Sequence, residues 1–280
     1  MSKNLISKIK KLGILFTVLI WLTSCSSYRY LYYVPTPNNP TFQKKGQSML
    51  SAEVEGTAFS NTESIGGAFQ GAYAINNHWA TGYHFDYREE KNIYRNTSFT
   101  SNRNNYYDSS YVLTNRNAHE ISIGYFTPVN KIKTDFFSIY SGYGYGLIHM
   151  RESGADSSLN PYQRDLQATI HKFFIQPAFY IIPNKNISLA FVTKFSGFYY
   201  CFNNNSYSTG EKVYYKMNIN NNDFFIDLEP TIFFSFGIKN AHLFTSYTFS
   251  SPIYGKPIDV ISSCFSFGTK VDLISILKHR

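Results

Sequence analysis

Beyond Leu22 this 280-residue chain has no long apolar run: no stretch reaches the 18 or more residues that a membrane-crossing helix needs. Charge is also scarce, at 16% of residues, and the basic side chains form no stripe of the kind that grips nucleic acid. The net charge of +8 owes part of its size to Lys3, Lys8, Lys10 and Lys11, which cluster at the start. Cysteine is limited to positions 25, 201 and 264, too few and too widely spaced for a disulfide framework. Neither G-x-S-x-G nor H-E-x-x-H occurs, and the seven His are dispersed without a close ligand pair. The run "SGYGYG" at 141–146 lacks the Lys-Ser/Thr that follows a phosphate loop. These absences argue against helical spans, a nucleic-acid partner, a metal centre and the motif-bearing hydrolases.

What the chain has in quantity is aromatic surface. Tyr, Phe and Trp make up 18% of it, yet the mean hydropathy is slightly negative, at −0.26. An apolar outer face, a polar inner face and aromatic girdles average to such a value in a transmembrane β-barrel. The local pattern agrees. In "QSMLSAEVEGTAF" the even positions Leu50, Ala52, Val54, Gly56 and Ala58 are small or apolar and the odd ones Ser51, Glu53, Glu55 and Thr57 polar. In "HWATGYHFDYR" Trp79, Thr81, Tyr83, Phe85 and Tyr87 share one face, with His78, His84, Asp86 and Arg88 on the other. A period of two is a strand, because a helix would mix the two sets.

Segments of this kind fall near 48–59, 65–75, 78–88, 117–127, 135–149, 168–182, 187–202, 223–236, 241–250 and 259–271. Ten is an even number, as single-chain bacterial barrels require. Asn76-Asn77, "PVNKIKT", "PNKN" and "GIKN" read as tight turns. Long polar loops are expected at 89–116, 150–167 and 203–222, with shorter ones at 60–64 and 251–258. The predicted fold class is therefore all-β: an up-and-down antiparallel transmembrane barrel of about ten strands, with short periplasmic turns and long external loops.

The first residues predict an export signal, with a basic start, a short apolar core and small residues at its end. Leu22-Thr23-Ser24-Cys25 resembles the lipobox of bacterial lipoproteins, which implies cleavage before Cys25 and acylation of its sulfur; a plain secretory signal is the alternative. The domain reading is a signal at 1–24, a lipid-anchored extended tether at 25–46 and a barrel at 47–280. The Pro-rich "YRYLYYVPTPNNPTFQKK" has no period and reads as that tether. A lipid in the inner leaflet then puts residue 46 on the periplasmic side. With the lipobox, "YVPTPNNPTF", "FSIYSGYGYG" and "IDLEPTIFFSFGIKNAHLFTSYTFS", the chain resembles small lipidated outer-membrane β-barrel proteins, a loosely defined family mostly without assigned biochemistry. It departs from the common barrel ending on an aromatic residue: the chain closes on "VDLISILKHR", leaving Phe265 and Phe267 for that role or a different insertion signal.

On the inferred inward face lie Glu53, Glu55, His84, Asp86, Arg88, Glu120, Lys172, Lys194, Asp227 and Glu229. A narrow lumen tolerates such charges only when they are paired and hydrogen-bonded, so the expectation is a structural network. His84 and Asp86, with Ser51 and Glu53 on the first strand, are the sole hint of general-base chemistry. The leading functional reading is an outer-membrane barrel lipoprotein of Gram-negative type with a structural or surface-interaction role and no enzymatic activity. A small porin-like channel, a lipid-acting barrel enzyme and a soluble periplasmic lipid-binding barrel are the alternatives. Expected partners of this monomer are outer-membrane lipid, the barrel-insertion machinery, and a glycan or protein at the Tyr- and Asn-rich loops 89–116 and 203–222. No cofactor is expected besides a covalent palmitate-type lipid on Cys25.

Overall fold

The computed structural model describes residues 31–57, 63–98, 106–130, 134–155, 160–184, 186–214, 223–238, 240–255, 260–261 and 263–273. Cys25 and the signal lie outside the described residues. The strands in chain order are β1 (Tyr32–Tyr33), β2 (Ser48–Thr57), β3 (Glu63–Ala74), β4 (Trp79–Ser98), β5 (Tyr106–Pro128), β6 (Asp135–Ala155) and β7 (Pro161–Asn184). They continue with β8 (Ile187–Asn205), β9 (Phe224–Ile238), β10 (Ala241–Phe249), β11 (Ser251–Tyr254), β12 (Val260–Ile261) and β13 (Ser263–Asp272). One short helix, α1 (Thr209–Tyr214), precedes β9.

Each wall strand pairs antiparallel with its sequence neighbour from β2 to β10, β10 pairs with β13, and β13 pairs with β2, so the sheet closes on itself. β11 continues the line of β10 past Ser250 along β9, which makes ten staves in all. Closure leaves no free edge over the height that all ten staves share. Where their residues are described, the tight turns form as expected. Asn76 Oδ1 accepts from the His78 and Trp79 amides, and Asn184 Oδ1 accepts from Asn186 and Ile187, the side-chain mimicry that makes Asn a turn residue.

The wall is inverted relative to a soluble protein. Val54, Phe69, Trp79, Tyr83, Ile121, Ile123, Phe173, Phe195, Phe234 and Phe267 face outward and are exposed, while the charged partners across each strand are buried. Rows of neighbours carry this around the wall: Phe69, Phe85, His119, Tyr145, His171, Tyr199 and Phe224 sit side by side. Tyr83 donates to or accepts from His119 Nδ1 at 2.8 Å, and Tyr143 likewise meets His171 at 2.7 Å. These polar tips on apolar bodies suit a membrane interface.

Above that row the strands go on. β4 to β8 are 20, 23, 21, 24 and 19 residues long, about twice the 9–11 that cross a bilayer. The segments expected as loops at 89–116 and 150–167 are mostly continuous strand, paired from Glu89 with Asn115 up to Ser98 with Tyr106 and from Arg151 with Asp165 up to Ala155 with Pro161. The reason is that outward residues here, such as Glu89, Lys91 and Arg151, are polar, so the two-face contrast that marks a strand fades while the pairing persists. On the opposite side β2 ends at Thr57 and β13 begins at Ser263, so the rim is tall from β4 to β8 and low around β13, β2 and β3.

The lumen is filled by the chain's own N-terminal segment. Residues 34–40 are all buried, and the run climbs β4 in steps. Phe42 packs on Phe126 beside Ala80, the Asn38 amide reaches the Tyr83 carbonyl, the Thr36 amide donates to Glu55, and Leu31 and Val34 join Val112, Met150 and Leu166. The stretch expected as a tether is extended, but Leu31, residues 34–40 and Phe42 lie within the barrel, and only residues 43–46 stand at the turn end.

Candidate functional site: the lumenal belt

All ten charged or ionisable residues expected inside are buried, with relative exposures of 6% or less. Alternation along each strand puts them there, and the register then sorts them into groups. Ser51, Gln70, His84, Glu120, Gly144, Lys172 and Phe198 form one row of cross-strand neighbours. Lys172 Nζ lies 2.5 Å from Glu120 Oε1 and Lys194 Nζ 2.6 Å from Glu120 Oε2, so one carboxylate bridges two ammonium groups. Lys194 also sits over the Phe174 ring at 4.2 Å, a cation–π contact in a dry setting.

A second group lies above. Arg88 Nη2 meets Glu55 Oε2 at 3.2 Å, and Arg88 also donates to Ser64 Oγ and Cys264 Sγ. Glu53 Oε1 accepts from Gln70 Nε2 at 2.6 Å. Asp227 accepts from Ser250 Oγ and from the Leu228 amide. Glu229 is the register partner of Lys194 across β8 and β9. The structure thus joins Glu55 to Arg88 and Glu120 to both lysines. It does not join Ser51 to His84: among the described residues neither the Ser51 hydroxyl nor either ring nitrogen of His84 has a hydrogen-bond partner.

Several members escape a reading by sequence. Glu90 and Arg116 pair at 3.0 Å on the inner face, within the region expected as a loop. The alternation 84, 86, 88 simply continues to 90 and 92, which is the signal that could have found Glu90. Gln176 Nε2 donates to the Asn38 carbonyl at 2.6 Å, and Tyr200 donates to the Leu31 carbonyl. Those contacts depend on where the N-terminal segment runs, which no local pattern encodes.

Glycine within a barrel strand can serve curvature, but in the 141–146 run it serves packing. Gly142 faces inward, and a Cβ there would stand 2.3 Å from the Ile121 carbonyl and 2.5 Å from Phe174 Cζ. Glycine makes room for side chains that cross the lumen. With those chains and the N-terminal segment in place, the remaining voids along the belt measure about 40, 10 and 10 Å³, the first lined by Pro35, Asp86, Arg88, Arg116, Glu120 and Lys172. The first has room for a few waters and the others for at most one each. A larger recess of about 200 Å³ opens at the turn end, beside Phe42, His242 and Lys270.

The opposite mouth is capped from above. Ser208 and Glu211 form a capping box at α1, the Ser208 amide donating to Glu211 Oε2 at 2.8 Å. Arg164 links Glu211 to Glu152, whose other oxygen accepts from the buried Tyr207 hydroxyl at 2.7 Å. Burial raises the Glu211 pKa, but the hydrogen bonds from Ser208 and the Arg164 charge outweigh it and hold the carboxyl below its ordinary value. The 203–222 loop, expected as a free polar surface, therefore sends Tyr207 into the mouth.

No protein-family model and no curated protein sequence matches the chain. Among solved structures it is similar to an outer membrane channel from Pseudomonas putida F1, at 8% identity and a TM-score of 0.40, over 84% of this chain and 100% of that one. It is similar too to the outer membrane protease OmpT from Escherichia coli, at 8% identity and a TM-score of 0.43 over 84% and 99%. The transport unit of the autotransporter AIDA-I from Escherichia coli gives 8% and 0.37 over 85% and 92%.

Proposed function

We propose that this chain is an outer-membrane β-barrel lipoprotein, anchored through Cys25, whose barrel is closed by its own N-terminal segment and serves a structural or surface-interaction role. The observation that supports it most is the burial of Leu31, of residues 34–40 and of Phe42 inside the barrel, where the voids described along the belt are too small for solutes. The apolar outer wall supports the membrane location, since a water-soluble barrel would turn Phe, Trp and Ile inward. Short turns at one end and tall strands at the other support an orientation with the turns in the periplasm. The tall wall above the aromatic row, with Glu89, Lys91, Asn115, Asn117 and Arg151 outward, is the surface we assign to an external glycan or protein partner.

Expression of the full chain in a Gram-negative host tests this. The protein is expected in the outer-membrane fraction of a density gradient, with heat-modifiable gel migration and acyl label that Cys25→Ala abolishes. Release with the periplasmic contents on spheroplasting would contradict it.

A further inference from the structure

From the path of the lumenal segment we infer that the chain ahead of Leu31 leaves the barrel at its cell-exterior end, so that a lipid on Cys25 enters the outer leaflet from outside. The inference rests on the proposed reading of an outer-membrane lipoprotein with periplasmic turns. It reverses the arrangement expected from sequence, in which the lipid sits in the inner leaflet below residue 46.

The direction of the segment is fixed at both ends. At the turn end the Gly46 amide donates to the Ala74 carbonyl and the Lys45 amide to Asn77 Oδ1, and Phe42 lies among Ala74, Ala80 and Phe126. At the far end Leu31 is packed with Met150, Leu166 and Tyr207. Between them the contacts rise in order, from Asn38 at Tyr83 to Thr36 at Glu55, whose partner Arg88 lies further up β4 than Tyr83. β1 pairs parallel with β12, which comes just ahead of β13 in sequence.

The place of exit also fits an anchor. β1 docks on β12 at the low side of the rim, next to the start of β13. There the wall stops near the level of Lys91, the partner of Glu63, whereas β4 itself runs on to Ser98. On this side outward apolar residues continue above the aromatic row toward the rim, with Tyr87 and Ile65 exposed between Phe85 and that level. The interval from Cys25 to Leu31 spans at most ~20 Å when extended, enough to pass a low rim and reach lipid. It is far too short to return through a barrel whose lumen the segment itself occupies.

Two epitope insertions in the full chain test this, one between Ser27 and Tyr28 and one in the Asn76-Asn77 turn, each probed by antibody on intact and permeabilised cells. The first is expected to stain intact cells undiminished, and the second only after permeabilisation. An N-terminal epitope that stains only permeabilised cells overturns the inference. Alkyne-palmitate labelling of the wild type and Cys25→Ala separates the two ideas: surface staining without Cys25-dependent label would end the lipoprotein reading and leave the exit intact. As a check independent of insertion, Asn38→Cys in a chain with Cys25, Cys201 and Cys264 replaced by Ser should resist a water-soluble thiol reagent in folded protein and react on unfolding. Rapid labelling of that cysteine in a folded, heat-modifiable barrel overturns the threaded path.

Discussion

The lumen is held in two different ways along its length. At its two ends the N-terminal segment is fixed by apolar contact: Leu31 and Val34 among Val112, Ile148, Met150 and Leu166, and Phe42 among Met49, Ala72 and Phe126. Between them it meets a belt of charge and is held by hydrogen bonds to Glu55 and Gln176. Apolar ends gain free energy from removal of water and tolerate small shifts. A buried charged belt gains little net free energy over an apolar filling, but it penalises any arrangement that separates its partners. The ends therefore supply adhesion and the belt supplies position, a division of labour suited to a strand that must thread in one direction and stop in one register.

The sharpest way to break the comparison is Glu120→Ala, which leaves Lys172 and Lys194 buried beside each other without their shared carboxylate. We expect a loss of about 3–5 kcal/mol in urea unfolding from vesicles. Replacing all three with Met, together with Glu229→Gln so that no carboxylate is left beside the missing lysines, should cost far less, and a loss as large as that of Glu120→Ala would show the belt to be adhesive after all. Next comes Phe42→Ala, expected to lower stability by about 3 kcal/mol. It should also admit thiol reagents to a cysteine placed at Thr36, because the lower anchor is gone. Gly142→Ala tests crowding between belt and wall, with an expected cost of about 1–3 kcal/mol from the clash with Phe174 and the Ile121 carbonyl.

The smallest effect concerns the upper cap. The Glu211 carboxyl is held below its ordinary value, so its contribution is complete above the unfolded pKa and is lost as pH falls through the lower, folded one. Hydrogen exchange of residues 206–214 should be flat from neutral pH down to ~5 and should quicken below ~4, relative to the intrinsic rate. A rise centred near neutral pH would assign the cap to a different group.

The inner face was legible in sequence wherever the outer face was apolar. His84, Asp86 and Arg88 stand out because Tyr83, Phe85 and Tyr87 alternate with them; Glu90 does not, because Glu89 and Lys91 flank it. The bilayer supplies that contrast, and where the strands rise above it a polar wall reads as a loop. The path of residues 31–42 was not legible for another reason. Thr, Pro and Asn in extended form have the same local preferences in water as in a polar lumen, and partners such as Glu55 and Gln176 are set by tertiary placement alone. Nor could the inward glycines be told from glycines that bend a strand, since only the position of Phe174 distinguishes the two.

The central claim is that the chain closes its own barrel, and conductance across a planar bilayer measures it most directly. Detergent-folded, heat-modifiable wild-type protein should insert without steady single-channel current, and a variant lacking residues 31–42 should conduct. Steady current from the intact wild type would contradict the claim and make the lumenal belt the lining of a channel.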